Sequence, residues 1–226
     1  LYVSSGGNEF YKNSPNYLDR LYLNDGQGEF TKSEKSLPEL FQNTGCVRAV
    51  DIDHDNDLDL FVGARVTALN YPETPESMLL INNNGTFSKQ PESDISRIGM
   101  VTDAIWVDID QDSWEDLIIV GEFMAITVFK NHQGELKKMP TTWVDEENHE
   151  ITTEGWWNCI KAVDFDQDGD LDFIAGNQGL NGFVKPEKDY PVYVYNKDFD
   201  GNGTMDPLIG QYFEDDGKKI LAPIHT

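Results

Sequence analysis

Asp164-Phe165-Asp166-Gln167-Asp168-Gly169-Asp170-Leu171-Asp172, followed by Phe173-Ile174-Ala175-Gly176, is the stretch on which the reading of this chain turns. Acidic side chains stand at positions 1, 3, 5 and 9, a turn residue stands at position 6, and an apolar run comes after. The segment reads as a short oxygen-rich loop that feeds a strand. Such a loop suits calcium, a hard cation that takes six to eight oxygen ligands in a flexible geometry.

The pattern occurs four times. Asp51, Asp53, Asp55 and Asp59 form the first copy; Asp108, Asp110, Asp112 and Asp116 the second; Asp164, Asp166, Asp168 and Asp172 the third; and Asp198, Asp200, Asn202 and Asp206 the fourth. Position 6 is Asn56, Ser113, Gly169 and Gly203 in turn. A tight turn there favours positive φ, which Gly or Asn supplies most cheaply. Ser113 fits worst, so the second loop is expected to bind least tightly. An EF-hand opens with the same spacing but ends on a bidentate Glu at position 12, between helices. Here position 12 is Val62, Ile119, Ala175 and Ile209, and the segments around them read as short buried strands.

Composition narrows the function classes. The chain has 226 residues, 38% hydrophobic and 12% aromatic, enough for a packed core, and a formal net charge of −24. The four loops hold 18 of the 41 Asp and Glu residues, so four calcium ions of two charges each would bring −24 to −16 where carboxylate repulsion is worst. Nucleic acid is disfavoured as a partner, because phosphate binding needs a basic face and the 17 Lys and Arg are scattered. His54, His132, His149 and His225 fall in no zinc spacing. Cys46 and Cys159 each lie five residues before their loop, at equivalent positions two repeats apart, and are expected as free, half-buried thiols. No apolar run is long enough to span a membrane.

The loops start at 51, 108, 164 and 198; the first two intervals, 57 and 56 residues, exceed the usual propeller periods of about 40 to 50 by one loop insertion, and the last, at 34, departs from the period. Within each full repeat one order recurs. A strand precedes the loop (residues 46–50, 103–107 and 159–163), a second follows it, and a third such as 78–82 or 126–130 leads through a tight turn to a short fourth. The turns 24–28, 83–85 and 131–134 are hairpin signals. A four-stranded antiparallel unit of this kind cannot cover both faces alone and must stack on neighbours, which is the logic of a β-propeller blade. The expected architecture is therefore all-β, a partial propeller of about four blades: a partial blade 1–36, blades 37–90, 91–138 and 139–197, and a remnant or further blade 198–226. Leu1 to Gly7 looks like a strand that follows such a loop, so the natural polypeptide is expected to extend upstream. Residues 192–196 fit either as the third strand of the fourth blade or as the first strand of a new unit. Acidic loops and tight hairpins are expected on one face, and the long links 7–19, 33–45, 64–77, 91–101, 139–155 and 177–190 on the other, where binding sites are favoured.

At these residues the chain resembles the FG-GAP or VCBS repeat family, the calcium-loop propellers related to the integrin α-subunit head. Val50-Asp51 to Gly63 and Val163-Asp164 to Gly176 match its D-x-D-x-D-G-x-x-D-hydrophobic-G pattern, with Asn56 for Gly in the former. The segment 196–203 is similar to bacterial relatives of the cartilage acidic protein and UnbV type. The resemblance implies side-chain ligands at positions 1, 3, 5 and 9, with the position 7 carbonyls of Asp57, Trp114, Asp170 and Thr204 completing each site. The Phe-Gly and Gly-Ala-Pro signatures of integrin blades are not intact, and no integrin ligand-binding insert is visible.

Two functions remain in view. One is a calcium-stabilised, extracytoplasmic module, of the secreted, periplasmic or cell-surface kind, that engages a protein or glycan on its long-looped face. The other is a carbohydrate-active lyase or hydrolase. For that reading the segment 139–157 supplies Trp143, Asp145, Glu146, Glu147, His149, Glu150, Glu154, Trp156 and Trp157, since aromatic rings beside carboxylates serve both sugar binding and glycoside chemistry. The bland alternative is that these tryptophans plug the interface between blades while the acids face water.

Overall fold

A computed structural model of the chain describes residues 1–179 and 182–224; His225 lies outside them. The first sheet is β1 (Tyr2–Val3), β2 (Arg20–Asn24) and β3 (Phe30–Ser33). The second is β4 (Asn43–Val50), β5 (Asp59–Val66), β6 (Met78–Asn83) and β7 (Thr86–Lys89), paired in that order. The third repeats it with β8 (Met100–Val107), β9 (Asp116–Met124), β10 (Thr127–His132) and β11 (Glu135–Met139). A small hairpin of β12 (Trp143–Val144) and β13 (Glu150–Ile151) leads to β14 (Gly155–Val163), which pairs with β15 (Asp172–Asn177). The last sheet is β16 (Tyr193–Lys197), β17 (Asp206–Asp215) and β18 (Lys218–Pro223). Every strand pair is antiparallel.

The second and third sheets stack face to face, and the strand after each of the first two loops lies between two neighbours. The strands after the third and fourth loops, expected as buried, are instead partly exposed, Ile174 and Leu208 among their open side chains. Side chains alternate across a strand. On β9, Leu117 and Ile119 therefore enter one apolar cluster with Phe61, Leu79 and Phe129, while Ile118 and Val120 enter another with Val107 and Ile160. On β5, Phe61 points to the third sheet, while Leu60 and Val62 pack with Met78 and Leu80 against Tyr2 of the first. Burial on both faces is why these strands read as unbroken apolar runs rather than alternating ones. Gly63 marks how closely the sheets approach: a Cβ there would stand 2.6 Å from Val101 Cγ1 and 2.9 Å from Cys46 Sγ.

Polar contacts lace the pre-loop strands together. Arg48 on β4 donates through Nε to Ala104 O (2.7 Å) and through Nη2 to Asp103 Oδ1 on β8. Asp103 Oδ2 accepts from Ile160 N of β14 at 3.0 Å. Thr102 Oγ1 donates to Trp157 O at 2.9 Å. The start of β14 also pairs with the end of β9, so that the third sheet and the β14–β15 pair form one six-stranded sheet. Stacked antiparallel blades of this kind are the β-propeller arrangement; pairing among the described residues closes no ring.

Three details differ from the simple repeat. Among the described residues β15 pairs with β14 alone, because the segment after Asn177 is rich in Gly, Pro and charge and offers no alternating apolar run. Tyr193–Lys197 pairs with β17, so the fourth acidic loop sits inside its own three-stranded sheet. Both thiols are free, yet only Cys46 is buried; Cys159, at the matching place on β14, is exposed. Burial pushes the Cys46 thiol up to about 12.

Candidate metal centres

Each acidic loop is built by the same local bonds. The position 1 carboxylate accepts from the backbone N–H of position 6: Asp51 from Asn56 (3.0 Å), Asp108 from Ser113 (2.8 Å), Asp164 from Gly169 (3.2 Å) and Asp198 from Gly203 (3.0 Å). The position 5 side chain accepts from position 7 N–H, at 2.8 Å for Asp55–Asp57, 2.9 Å for Asp112–Trp114, 3.1 Å for Asp168–Asp170 and 2.8 Å for Asn202–Thr204. Position 6 has the expected positive φ, 72° at both Asn56 and Ser113, 99° at Gly169 and 87° at Gly203. Position 4 is left-handed as well, at His54, Gln111, Gln167 and Gly201. Only one of those four is the glycine that would signal it.

The position 9 carboxylate joins loop to sheet. Its Oδ2 accepts from position 2 N–H in all four copies, from Ile52 to Asp59 (3.1 Å), Ile109 to Asp116 (3.2 Å), Phe165 to Asp172 (2.9 Å) and Phe199 to Asp206 (2.9 Å). In the first two copies Oδ1 also accepts from the third strand, from Asn82 N at 2.7 Å and Asn131 N at 2.8 Å. Asp59 and Asp116 are buried, and desolvation raises both carboxyls despite these bonds. In the exposed third loop Asp170 is raised chiefly by the charge of Asp168, while in the fourth Asp198 is lowered, the Gly203 N–H being the largest cause.

The arrangement gathers oxygens in every copy. One carboxylate oxygen each from Asp51, Asp53 and Asp59 lie within 4.8 Å of one another, and the same holds for Asp108, Asp110 and Asp116; for Asp164, Asp166 and Asp172; and for Asp198, Asp200 and Asp206. Oxygens bound at about 2.4 Å to one calcium ion can be at most about 4.8 Å apart, so the spacing of each triad permits a shared ion. Asp55, Asp112 and Asp168 lie outside the triads. In the third loop Asp164 Oδ1 is buried without any hydrogen-bond partner, a state a carboxylate oxygen avoids unless something else neutralises it. The donor set is all oxygen, which matches a hard cation such as calcium.

In the second and third sheets the loop and the hairpin share one face. Asn84 N, in the β6–β7 turn, donates to Asp57 Oδ2 at 2.6 Å, and Asn131 Nδ2 of the third sheet donates to Ile52 O of the first loop at 3.0 Å. The ring of His54 stacks on that of Trp114 at 3.9 Å, joining the first loop to the second. Lys130, which the loop pattern does not reveal, reaches the second loop from β10. Its Nζ donates to Asp110 Oδ2 and, at 2.9 Å, to Asp112 Oδ2. Contact with Asp110 and then Asp112 raises the lysine, and Asp112 is lowered, by Lys130 first.

At the opposite ends of β5 and β9, Glu122 is buried, accepts from Arg65 Nε (3.0 Å) and Nη2 (2.6 Å), and accepts from Tyr71 OH (3.2 Å). Beside it the exposed Phe123, at φ 55°, stands between Tyr71 and Trp156, with ring centroids 6.3 and 4.9 Å away. Trp143 and Trp157 instead pack half-buried against the Ile118 and Ile160 cluster, and Glu146, Glu147 and Glu150 face solvent.

No helix among the described residues is long and apolar enough to cross a membrane. No curated protein matches the chain. The FG-GAP-like repeat model matches residues 1–62 and 108–175, which include the first, second and third loops whole. With more than half its length matched and four acidic loops each joining two paired antiparallel strands, the chain belongs to the FG-GAP-like repeat family.

Proposed function

We propose that this chain is a calcium-stabilised, extracytoplasmic binding module whose blades present a protein or glycan site on the face away from the metal loops. The observation that carries the calcium reading is the fourfold carboxylate triad, together with the partnerless buried Oδ1 of Asp164. In this reading the side chains at positions 1, 3, 5 and 9 of the first, third and fourth loops and the carbonyls of Asp57, Asp170 and Thr204 hold the ion; the second loop, with Trp114 at position 7, has Lys130 on Asp110 and Asp112 and is taken up below. The ion would supply charge neutralisation and stiffness and take no part in any reaction. The chain's own carboxylates order each loop through position 6 and position 9, and so fix the hand-over from one strand to the next. Millimolar calcium outside the cytoplasm would keep modest sites filled, which favours a constitutive structural role over sensing.

The blade division proposed is 1–36, 37–90, 91–138 and 139–191, with Tyr193–Lys197 assigned to the last unit on the strength of its pairing with β17. For the ligand face, Tyr71, Phe123 and Trp156 beside the exposed side of Arg65 are the best-supported contact residues. An exposed aromatic held at positive φ is a strained arrangement of the kind found at binding sites. Equilibrium dialysis of the chelator-stripped chain against calcium, followed by glycan-array and protein-capture assays with and without calcium, tests both halves. Bound calcium and capture that falls at least tenfold in Phe123→Ala support the proposal. Absence of bound calcium at millimolar free ion would overturn the first half, and capture indifferent to Phe123 and Trp156 the second.

A further inference from the structure

The four acidic loops are not equivalent, and the difference lies in a residue outside them. Asn82 and Asn131 occupy matching places on the third strands, since the N–H of each donates to the position 9 carboxylate of its loop. The residue before each therefore also matches. In the second sheet it is Ile81, which packs against the apolar core. In the third sheet it is Lys130, whose Nζ spans Asp110 Oδ2 and Asp112 Oδ2.

We propose that Lys130 is a tethered counter-cation that takes the place of calcium at the second loop, so the chain binds one divalent ion fewer than its four acidic loops imply. The inference rests on the calcium reading of the other loops. Asp110 belongs to the oxygen triad of that loop, so the ammonium and the ion compete for one carboxylate. Calcium needs at least six oxygens, and here two side chains are turned toward an amine that donates three hydrogens and accepts none. A calcium ion sharing the Asp110 carboxylate with Lys130 would also stand beside a fixed positive charge, and like charges that close repel even at the dielectric constant of water. Ser113, at φ 72° where the other copies have Asn or Gly, works in the same direction. The ammonium is attached to the chain, so it neutralises this loop at any calcium concentration.

The test counts ions. The full chain, stripped with chelator, is dialysed against 45Ca or titrated calorimetrically with calcium chloride, alongside Lys130→Met, Lys130→Gln and Lys130→Arg, each checked for native far-UV circular dichroism. The expected result is one additional ion in Lys130→Met and Lys130→Gln and no change in Lys130→Arg. Terbium provides a second readout, because Trp114 occupies position 7 of the second loop and sensitises an ion bound there. Lys130→Met should gain a luminescence increment that is absent from Lys130→Met/Trp114→Phe. Equal stoichiometry in the wild type and both neutral variants, or a wild-type second loop that fills together with the others, overturns the role given to Lys130 and leaves calcium binding standing. Absence of calcium from every variant defeats the calcium reading itself.

Discussion

Two carboxylates of the same loop that are proposed as calcium ligands, Asp59 and Asp53, should fail in different ways when replaced by alanine. Asp59 is buried and accepts from Ile52 N at 3.1 Å and Asn82 N at 2.7 Å. Truncation leaves two backbone donors without a partner, each costing about 1–3 kcal/mol, while relieving the desolvation that raises this carboxyl. The net expectation for Asp59→Ala is a loss of about 3 kcal/mol in chelator, or about 6–12 °C in Tm for a chain of this size, and a larger loss in calcium, where the ion's contribution goes as well. Asp53 is exposed, and its one backbone bond, from Asp55 N, is long at 3.3 Å. Asp53→Ala should cost less than about 0.5 kcal/mol in chelator. In calcium it should cost more, because a site held at about ten times its Kd adds roughly 1.4 kcal/mol to native stability and this variant forfeits it. Thermal and urea unfolding of wild type and both variants, each in 2 mM calcium and in EDTA, reads out all six values. Equal costs for the two variants in EDTA, or a cost of Asp53→Ala that is the same in calcium as in EDTA while calcium stabilises the wild type, would contradict these expectations.

Gly63→Ala should destabilise by about 1–3 kcal/mol in urea titration, since the added Cβ meets Val101 Cγ1 at 2.6 Å across closely stacked sheets. Arg48→Met should cost about 2–3 kcal/mol, because it leaves the buried Asp103 carboxylate without its cation; Arg48→Met/Asp103→Asn should recover part of that loss. A thiol reagent at pH 8 should modify Cys159 within seconds and Cys46 only as fast as the protein unfolds, given one exposed thiol and one buried thiol raised to about 12.

Much of the candidate site was legible because its bonds are local. Positions 1, 5, 6, 7 and 9 bond within nine residues of chain, so the Asp spacing carries the geometry with it, and the turn residue at position 6 announces its own backbone angle. The left-handed angle at position 4 was hidden because His54, Gln111 and Gln167 carry no glycine signal. The same limit hid the third-strand donors Asn82 and Asn131, which reach their loops from 23 and 15 residues away.

By itself the sequence settled the all-β class, the four oxygen-rich turns, the apolar strands that follow them and, for the second and third sheets, the shared face of loop and hairpin. Each of these follows from periodicity or from contacts between near neighbours in the chain. Only the tertiary structure decided that Lys130 meets Asp110 and Asp112, that Asp103 ties Arg48 to Ile160, that Tyr71, Phe123 and Trp156 converge, and that Tyr193–Lys197 pairs forward rather than back. Those outcomes depend on which faces of separate strands meet. A side chain such as lysine or tryptophan suits a solvated surface, a charged loop or a sheet interface equally well until its neighbours across the stack are in place.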